Sequence, residues 1–205
     1  MNDAARPIVA VRPMRRDDVD AFATWGRSDD PLDAPYEIPP LDRTAADSLW
    51  RFLSTRPAER RPYAGLVDGR FAAQLVVRAA AEPAVADLGI TLDPAVRGRG
   101  FGTRILLALG EELARTHRVA RLTLDVAAYN VRAQRAYRSA GFLIRGERFG
   151  PPDPGIDLAA LSARGGPVAA RLAGHTAVVD GVWCVRIFHM ERALVAESRT
   201  EHTHA

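Results

Sequence analysis

The sequence predicts an α/β (α+β) fold: a mixed, mostly antiparallel central sheet flanked by helices, with an insertion before the last strand. Runs with period-two apolar alternation and runs with helical spacing follow one another along the chain. Asp68-Gly69 separates two strand-like runs, a hairpin signal, and a hairpin-like Asp180-Gly181 precedes the last strand. Between residues 86 and 149, strands alternate with helices, which requires crossover connections beside the hairpins.

The elements follow in order. Ile8 to Pro13 reads as a first strand and Asp17 to Trp25 as a short helix burying Val19, Phe22 and Ala23. Ser28 to Arg43 carries Pro31, Pro35, Pro39 and Pro40, too many for a helix. With Tyr36 and Glu37, it is read either as a solvent loop or as a wall of a substrate pocket. Thr44 to Leu53 reads as a helix opened by a Thr44–Asp47 capping box. Tyr63 to Val67 and Arg70 to Val77 form the first hairpin, and Ala86 to Leu92 the next strand. In that strand Ala86, Leu88, Ile90 and Leu92 share one face and Asp87, Gly89 and Thr91 the other. Thr103 to His117 is a helix and Val119 to Val126 a strand. Asn130 to Ala140 is a helix with Asn130 as N-cap and Gly141 as its left-handed stop. Phe142 to Phe149 and Val182 to Met190 are the last strands. The Gly- and Pro-rich segment between them, 151–181, is the insertion, within which Ile156 to Leu172 reads as holding a short helix. Residues 1–196 are expected to form one domain and 197–205 a disordered tail.

Composition narrows the function. Apolar content of 47% and charged content of 26% are those of a globular protein. No run approaches the ~18 apolar residues of a membrane span, and Met1 to Pro7 has no apolar core for a signal peptide, so a cytoplasmic location without a membrane partner is expected. Every basic residue is arginine; Schiff-base chemistry and a Walker-type phosphate loop, which need lysine, are excluded. A net charge of +3 is too mild to argue for nucleic acid. Cys184 is alone, so neither an intrachain disulfide nor a cysteine zinc site is expected, and His202 and His204 offer only adventitious metal binding.

Arg97-Gly98-Arg99-Gly100-Phe101-Gly102-Thr103 joins a strand to a helix. Glycines let a ligand approach backbone N–H groups, and the first turn of a helix attracts an anion. Arg97, Arg99 and Arg104 crowd an end where the dipole disfavours cations by roughly 0.3–1 kcal/mol each, which a bound polyphosphate would reverse. A dinucleotide loop, Gly-x-Gly-x-x-Gly, fails here: residue 103 is Thr, and Asp93 to Val96 intervene after the strand.

Arg97-x-x-Gly100-x-Gly102 resembles the coenzyme A pyrophosphate loop of the GCN5-related N-acetyltransferase (GNAT) superfamily. Asn130-x-x-Ala133-x-x-x-Tyr137-x-x-x-Gly141-Phe142 is similar to its second conserved block, and the likeness spans about Ala86 to Phe149. The resemblance implies acetyl-CoA as acyl donor and a primary amine, of a small molecule or a protein N-terminus, as acceptor, joined by direct attack in a ternary complex. It implies that the backbone of Ile90, Thr91 and Leu92 holds the pantetheine arm, that the N–H groups of Arg97, Gly98, Arg99, Gly100, Phe101, Gly102 and Thr103 hold the pyrophosphate, that Asn130 contacts the pantetheine region, and that the Tyr137 hydroxyl stands near the thioester sulfur. The base is placed at Asp125 first and Asp87 second, with His189 and a water chain also open. The insertion departs from the family; covering the acceptor site, a homodimer contact and disorder all remain open. A non-catalytic acyl-CoA-binding module is the alternative from another class.

Overall fold

The computed structural model describes residues 6–194; the expected disordered tail, with His202 and His204, lies outside the described residues. Its elements are β1 (Val9–Pro13), α1 (Arg16–Asp20), α2 (Arg43–Ser54), β2 (Arg60–Val67), β3 (Arg70–Ala79), β4 (Val85–Leu92), α3 (Phe101–His117), β5 (Arg121–Ala127), α4 (Val131–Ser139), β6 (Leu143–Gly150), α5 (Leu158–Ala163), α6 (Gly166–Leu172), β7 (Thr176–Val179) and β8 (Val182–Ala193). They form an 8-stranded sheet in the order β1-β2-β3-β4-β5-β8-β6, with β7 also paired to β8. All pairs are antiparallel except β4–β5. This is the mixed, mostly antiparallel architecture expected from the sequence.

Both Asp-Gly dipeptides turn hairpins. Asp68 (φ 49°) with Gly69 (φ 77°), and Asp180 (φ 49°) with Gly181 (φ 79°), put both central residues in the left-handed region, matching the twist of the paired strands. The second hairpin adds a strand to the expected set. Val185 pairs Gly150 of β6 on one edge and Thr176 of β7 on the other. Thus β7 extends the β5 side of β8 beyond Ala127, where β5 ends. The insertion is ordered as α5, α6 and β7.

One sheet face packs on α3 and α4 through Leu75, Leu88, Ile105, Leu109, Leu124 and Phe142. On the other face, Met14, Val19, Phe22, Ala46 and Leu53 of the α1–α2 region cover β2 and β3. A third cluster joins Leu32, Tyr129, Ile156, Leu158, Leu172 and Val185, so the insertion packs onto the proline-rich loop.

The end of the first helix and the cap of the second differ from expectation. The first helix gives way to a 3-10 turn, Ala21–Thr24, and Ala23 is exposed while Val19 and Phe22 are buried. Tightening to three residues per turn shifts the phase of the buried stripe. The cap of α2 is Asp42, whose side chain accepts from Ala45 N at 2.8 Å, in place of Thr44. A carboxylate both caps and complements the helix dipole, and Asp47 instead pairs with Arg16 at 2.6 Å.

Asp18 anchors β1 to α1. It accepts from Arg12 Nη1 and Nη2, each at 2.7 Å, and from Arg15 N at 2.7 Å. Burial acts to raise its pKa, but the Arg12 and Arg15 hydrogen bonds prevail and hold it below the usual carboxylate value. A depressed folded pKa contributes stability above the unfolded value of ~3.9 and loses it as pH falls through the folded one. Asp18→Asn therefore lowers the melting temperature at pH 7, and the gap to wild type closes as pH falls below about 4, measured by thermal unfolding across a pH series.

Candidate active site

The cleft is set by a strand pair that stops early. β4 and β5 run parallel only through Val85↔Arg121, Ala86↔Leu122 and Asp87↔Thr123. Beyond Asp87 the strands part, while β4 keeps β3 along its other edge as far as Leu92↔Ala73. A cleft of about 930 Å³ opens there, between β4, the start of α3, α4 and the proline-rich loop. Among the described residues, no strand lies beside the edge of β4 from Leu88 to Leu92 that faces this cleft.

At the mouth, Asp93 caps a 3-10 turn, Pro94–Val96, by accepting from Ala95 N at 3.0 Å. The chain then reverses through Gly98 (φ 73°) and Gly100 (φ 79°), left-handed conformations in which a side chain is strained. Gly100 is the N-cap of α3, and Arg104 N makes the first helical bond, to Gly100 O at 3.3 Å. The N–H groups of Phe101, Gly102 and Thr103 have no carbonyl within the helix to reach.

The arginine side chains do not gather over this loop. Arg97 turns inward, 11% exposed, donating to Leu92 O at 3.1 Å and to Asp33 Oδ2 at 2.9 Å. Arg104 donates to Pro7 O at 2.6 Å, tying down the start of the described chain. The Arg99 guanidinium lies 5.2 Å from the Phe101 ring centroid, and Phe101 is buried in the core; neither lines the cleft. The cluster seen in sequence is thus dispersed. The glycines of the loop and the first amides of α3 remain as its anion-binding features.

Asp33 was not legible as a site residue. Its carboxylate is 4% exposed and accepts from Arg97, from Arg132 Nη2 at 2.7 Å and from Ser28 Oγ at 2.8 Å. One buried anion thus joins the proline-rich loop to the glycine loop and α4. Burial lowers the Arg97 pKa, with Asp33 acting against it.

Of the residues implied by resemblance, Asp87, Ile90, Thr91, Leu92, Arg97, Gly98, Gly100, Gly102, Thr103, Asp125, Asn130 and Tyr137 line one cleft. Asn130 caps α4, accepting from Ala133 N at 3.1 Å, as expected. Thr103 Oγ1 donates to Ala136 O at 3.2 Å and locks α3 to α4. Tyr137 is half-buried, its ring 5.9 Å from that of Phe142, and burial pushes its phenol up to about 12. Both expected bases carry partners. Asp87 pairs with Arg78 at 2.9 Å; Asp125 pairs with Arg148 at 2.9 Å and His189 Nδ1 at 3.0 Å. His189 Nε2 stands 3.4 Å from Glu191. Cys184 is buried and lies away from the cleft.

The far wall comes from the proline-rich loop and the insertion. The Tyr36 hydroxyl donates to Asp153, and Arg171 pairs with Asp30. Tyr36 stood in the loop weighed as a pocket wall; Asp153, 117 positions away, gave no sequence signal. Among the described residues no group of three or more His, Cys, Asp or Glu is placed to hold a metal ion, and no helix is long and apolar enough to cross a membrane.

Residues 20–142 match the acetyltransferase (GNAT) family. No curated protein sequence matches the chain. Among solved structures, AAC(6')-Ib in complex with paromomycin and acetyl-CoA is 19% identical, with a TM-score of 0.60 over 96% of this chain and 99% of that one. A chimera of the spermidine N-acetyltransferase SpeG from Vibrio cholerae with hSSAT is 14% identical, with a TM-score of 0.61 over 91% of this chain and 95% of that one. An acetyltransferase of the GNAT family from Streptococcus pneumoniae is 14% identical, with a TM-score of 0.56 over 92% of this chain and 100% of that one. These share the fold.

The buried triad sets a stability prediction. Asp33→Asn leaves Arg97 without an anion in a buried setting and lowers the unfolding free energy by about 3 kcal/mol. Arg132→Ala, which removes a partner that is 49% exposed, costs less than about 1 kcal/mol. Urea unfolding of both variants measures the difference; equal losses would contradict this account of the triad.

Proposed function

This chain belongs to the acetyltransferase (GNAT) family, and on that premise we propose that it moves the acetyl group of acetyl-CoA to a primary amine, of a small molecule or a protein N-terminus, by direct attack with both substrates bound. The observation that carries this reading is the single cleft bounded by a free strand edge, a glycine turn at a helix start, and Tyr137. Each part suits a different portion of acetyl-CoA. The open edge of β4 would accept an amide-bearing arm as an added strand would be accepted. The first amides of α3 and the left-handed glycines suit a pyrophosphate. Asn130, whose side-chain oxygen caps α4, keeps its amide NH₂ for the same arm. When bound, acetyl-CoA supplies an activated acyl thioester.

The protein's own groups then manage protons. An alkylamine, titrating near ~10, must lose its proton before it attacks. Asp125 is the preferred acceptor of that proton and Asp87 the second. The distinction lies in their partners. Arg78, beside Asp87, cannot take a proton onward. His189, beside Asp125, can, and its side chain is 42% exposed to solvent. Tyr137, held at about 12, stays protonated through neutral pH and offers its hydroxyl to the departing sulfur. No covalent relay is invoked: Cys184 is outside the cleft, and Ser139, which lines it, bonds to no histidine or carboxylate among the described residues.

The test is amine-dependent release of CoA, followed by thiol titration, with a panel of amines. Tyr137→Phe is expected to reduce kcat about 10²-fold with acetyl-CoA affinity unchanged. For the wild type, kcat/KM rises with pH through the amine's titration, with no alkaline fall below pH ~10 because Tyr137 is still protonated. Asp125→Asn is expected to lower kcat/KM across the pH range while the rise set by the amine stays in place, and Asp87→Asn to lower it less. If acetyl-CoA binds and no amine releases CoA, the chain is an acyl-CoA-binding module.

A further inference from the structure

Charge pairing around the cleft singles out one residue. The carboxylates that line it are Asp33, Asp87, Asp125 and Asp153. Asp33 is neutralised by Arg97 and Arg132, Asp87 by Arg78, and Asp125 by Arg148. Asp153 has no cationic partner among the described residues; it accepts only from the neutral Tyr36 hydroxyl. The nearby Arg171 is committed to Asp30. A second observation lies at the same place. Tyr36, which also lines the cleft, holds its phenol against this carboxylate, and burial keeps that phenol protonated.

We propose that Asp153 and Tyr36 form a subsite for a second ammonium group of the acceptor, so that diamines are preferred over monoamines. An ammonium has three N–H donors and no acceptor. The Asp153 carboxylate oxygens and the Tyr36 phenol oxygen supply acceptors of the matching charge. The group bound here is distinct from the one acetylated. An ion pair with Asp153 holds an amine in its charged form, and a charged amine cannot attack a carbonyl. This assignment rests on the acetyltransfer reading given above.

The test compares 1,5-diaminopentane with pentylamine as acceptors. Wild type is expected to show a KM about tenfold lower for the diamine, with similar kcat. Asp153→Asn raises the diamine KM about tenfold and leaves both the pentylamine KM and the kcat values unchanged; Tyr36→Phe shifts the same ratio in the same direction, and Asp153→Glu restores part of the preference. Equal KM values for the two amines in wild type, or an equal change for both in Asp153→Asn, would overturn the subsite and leave acetyltransfer standing. Calorimetry of 1,5-diaminopentane with the CoA complex separates the two readings. Asp153-dependent binding without acetyl transfer would retain the subsite and remove the acetyltransferase reading; no binding and no diamine preference would remove the subsite.

Discussion

Backbone N–H and C=O groups must find partners, and the parting of β4 from β5 leaves such groups facing the cleft. β4 pairs with β5 for only three residue pairs, then continues alone along one edge. Had the pair run its full length, the sheet would be closed and the two crossover helices would pack over an unbroken surface. Instead, the start of α3, the glycine turn and the face of α4 that carries Tyr137 border the same cleft. The open edge and the first turn of α3 are both arrays of unfilled hydrogen-bonding positions. They lie side by side because one strand precedes the turn and the helix follows it.

That arrangement explains why the glycine loop was legible while its arginines misled. Backbone conformations such as those at Gly98 and Gly100 are written in the residue type, since few other residues adopt them. The same holds for both Asp-Gly turns, the Asn130 cap and the Gly141 stop, all short-range features. Arginine, by contrast, reaches far enough for its charge to be used elsewhere. Arg97 goes inward to Asp33, 64 positions away, and Arg104 to Pro7, 97 positions away. The insertion was legible only in part, its helical stretch 156–172 and no more, for a related reason. Its Gly- and Pro-rich composition suggests irregular chain, yet Leu158, Leu172 and Ile156 bury against Leu32 and Tyr129. Packing on a distant loop decided its structure, and local propensity did not.

The Asp33 triad carries that long-range information into the site. A loop rich in proline has little secondary structure of its own to hold it in place. Asp33 fixes it to the glycine turn through Arg97 and to α4 through Arg132, while Tyr36 and Asp30 fix it to the insertion. Two parts of the cleft that meet different chemistry are therefore mechanically joined. A substitution in the proline-rich loop would reach the glycine turn through a buried charge, without touching it.

The proton chemistry proposed for Tyr137 follows from the same separation of apolar and polar walls. The phenol sits against the core beside Phe142. Desolvation alone lifts it to about 12, with no neighbouring charge contributing. A thiol titrates near ~8.5, so complete transfer from this phenol to a thiolate runs uphill by about 5 kcal/mol. The role that fits is therefore a strong hydrogen bond to charge as it develops on sulfur, with the proton itself arriving from solvent later. A phenol with an ordinary pKa would donate more readily, but it would be closer to ionising at the alkaline pH where amines become nucleophilic. Burial keeps the donor intact over the range in which the acceptor amine is reactive.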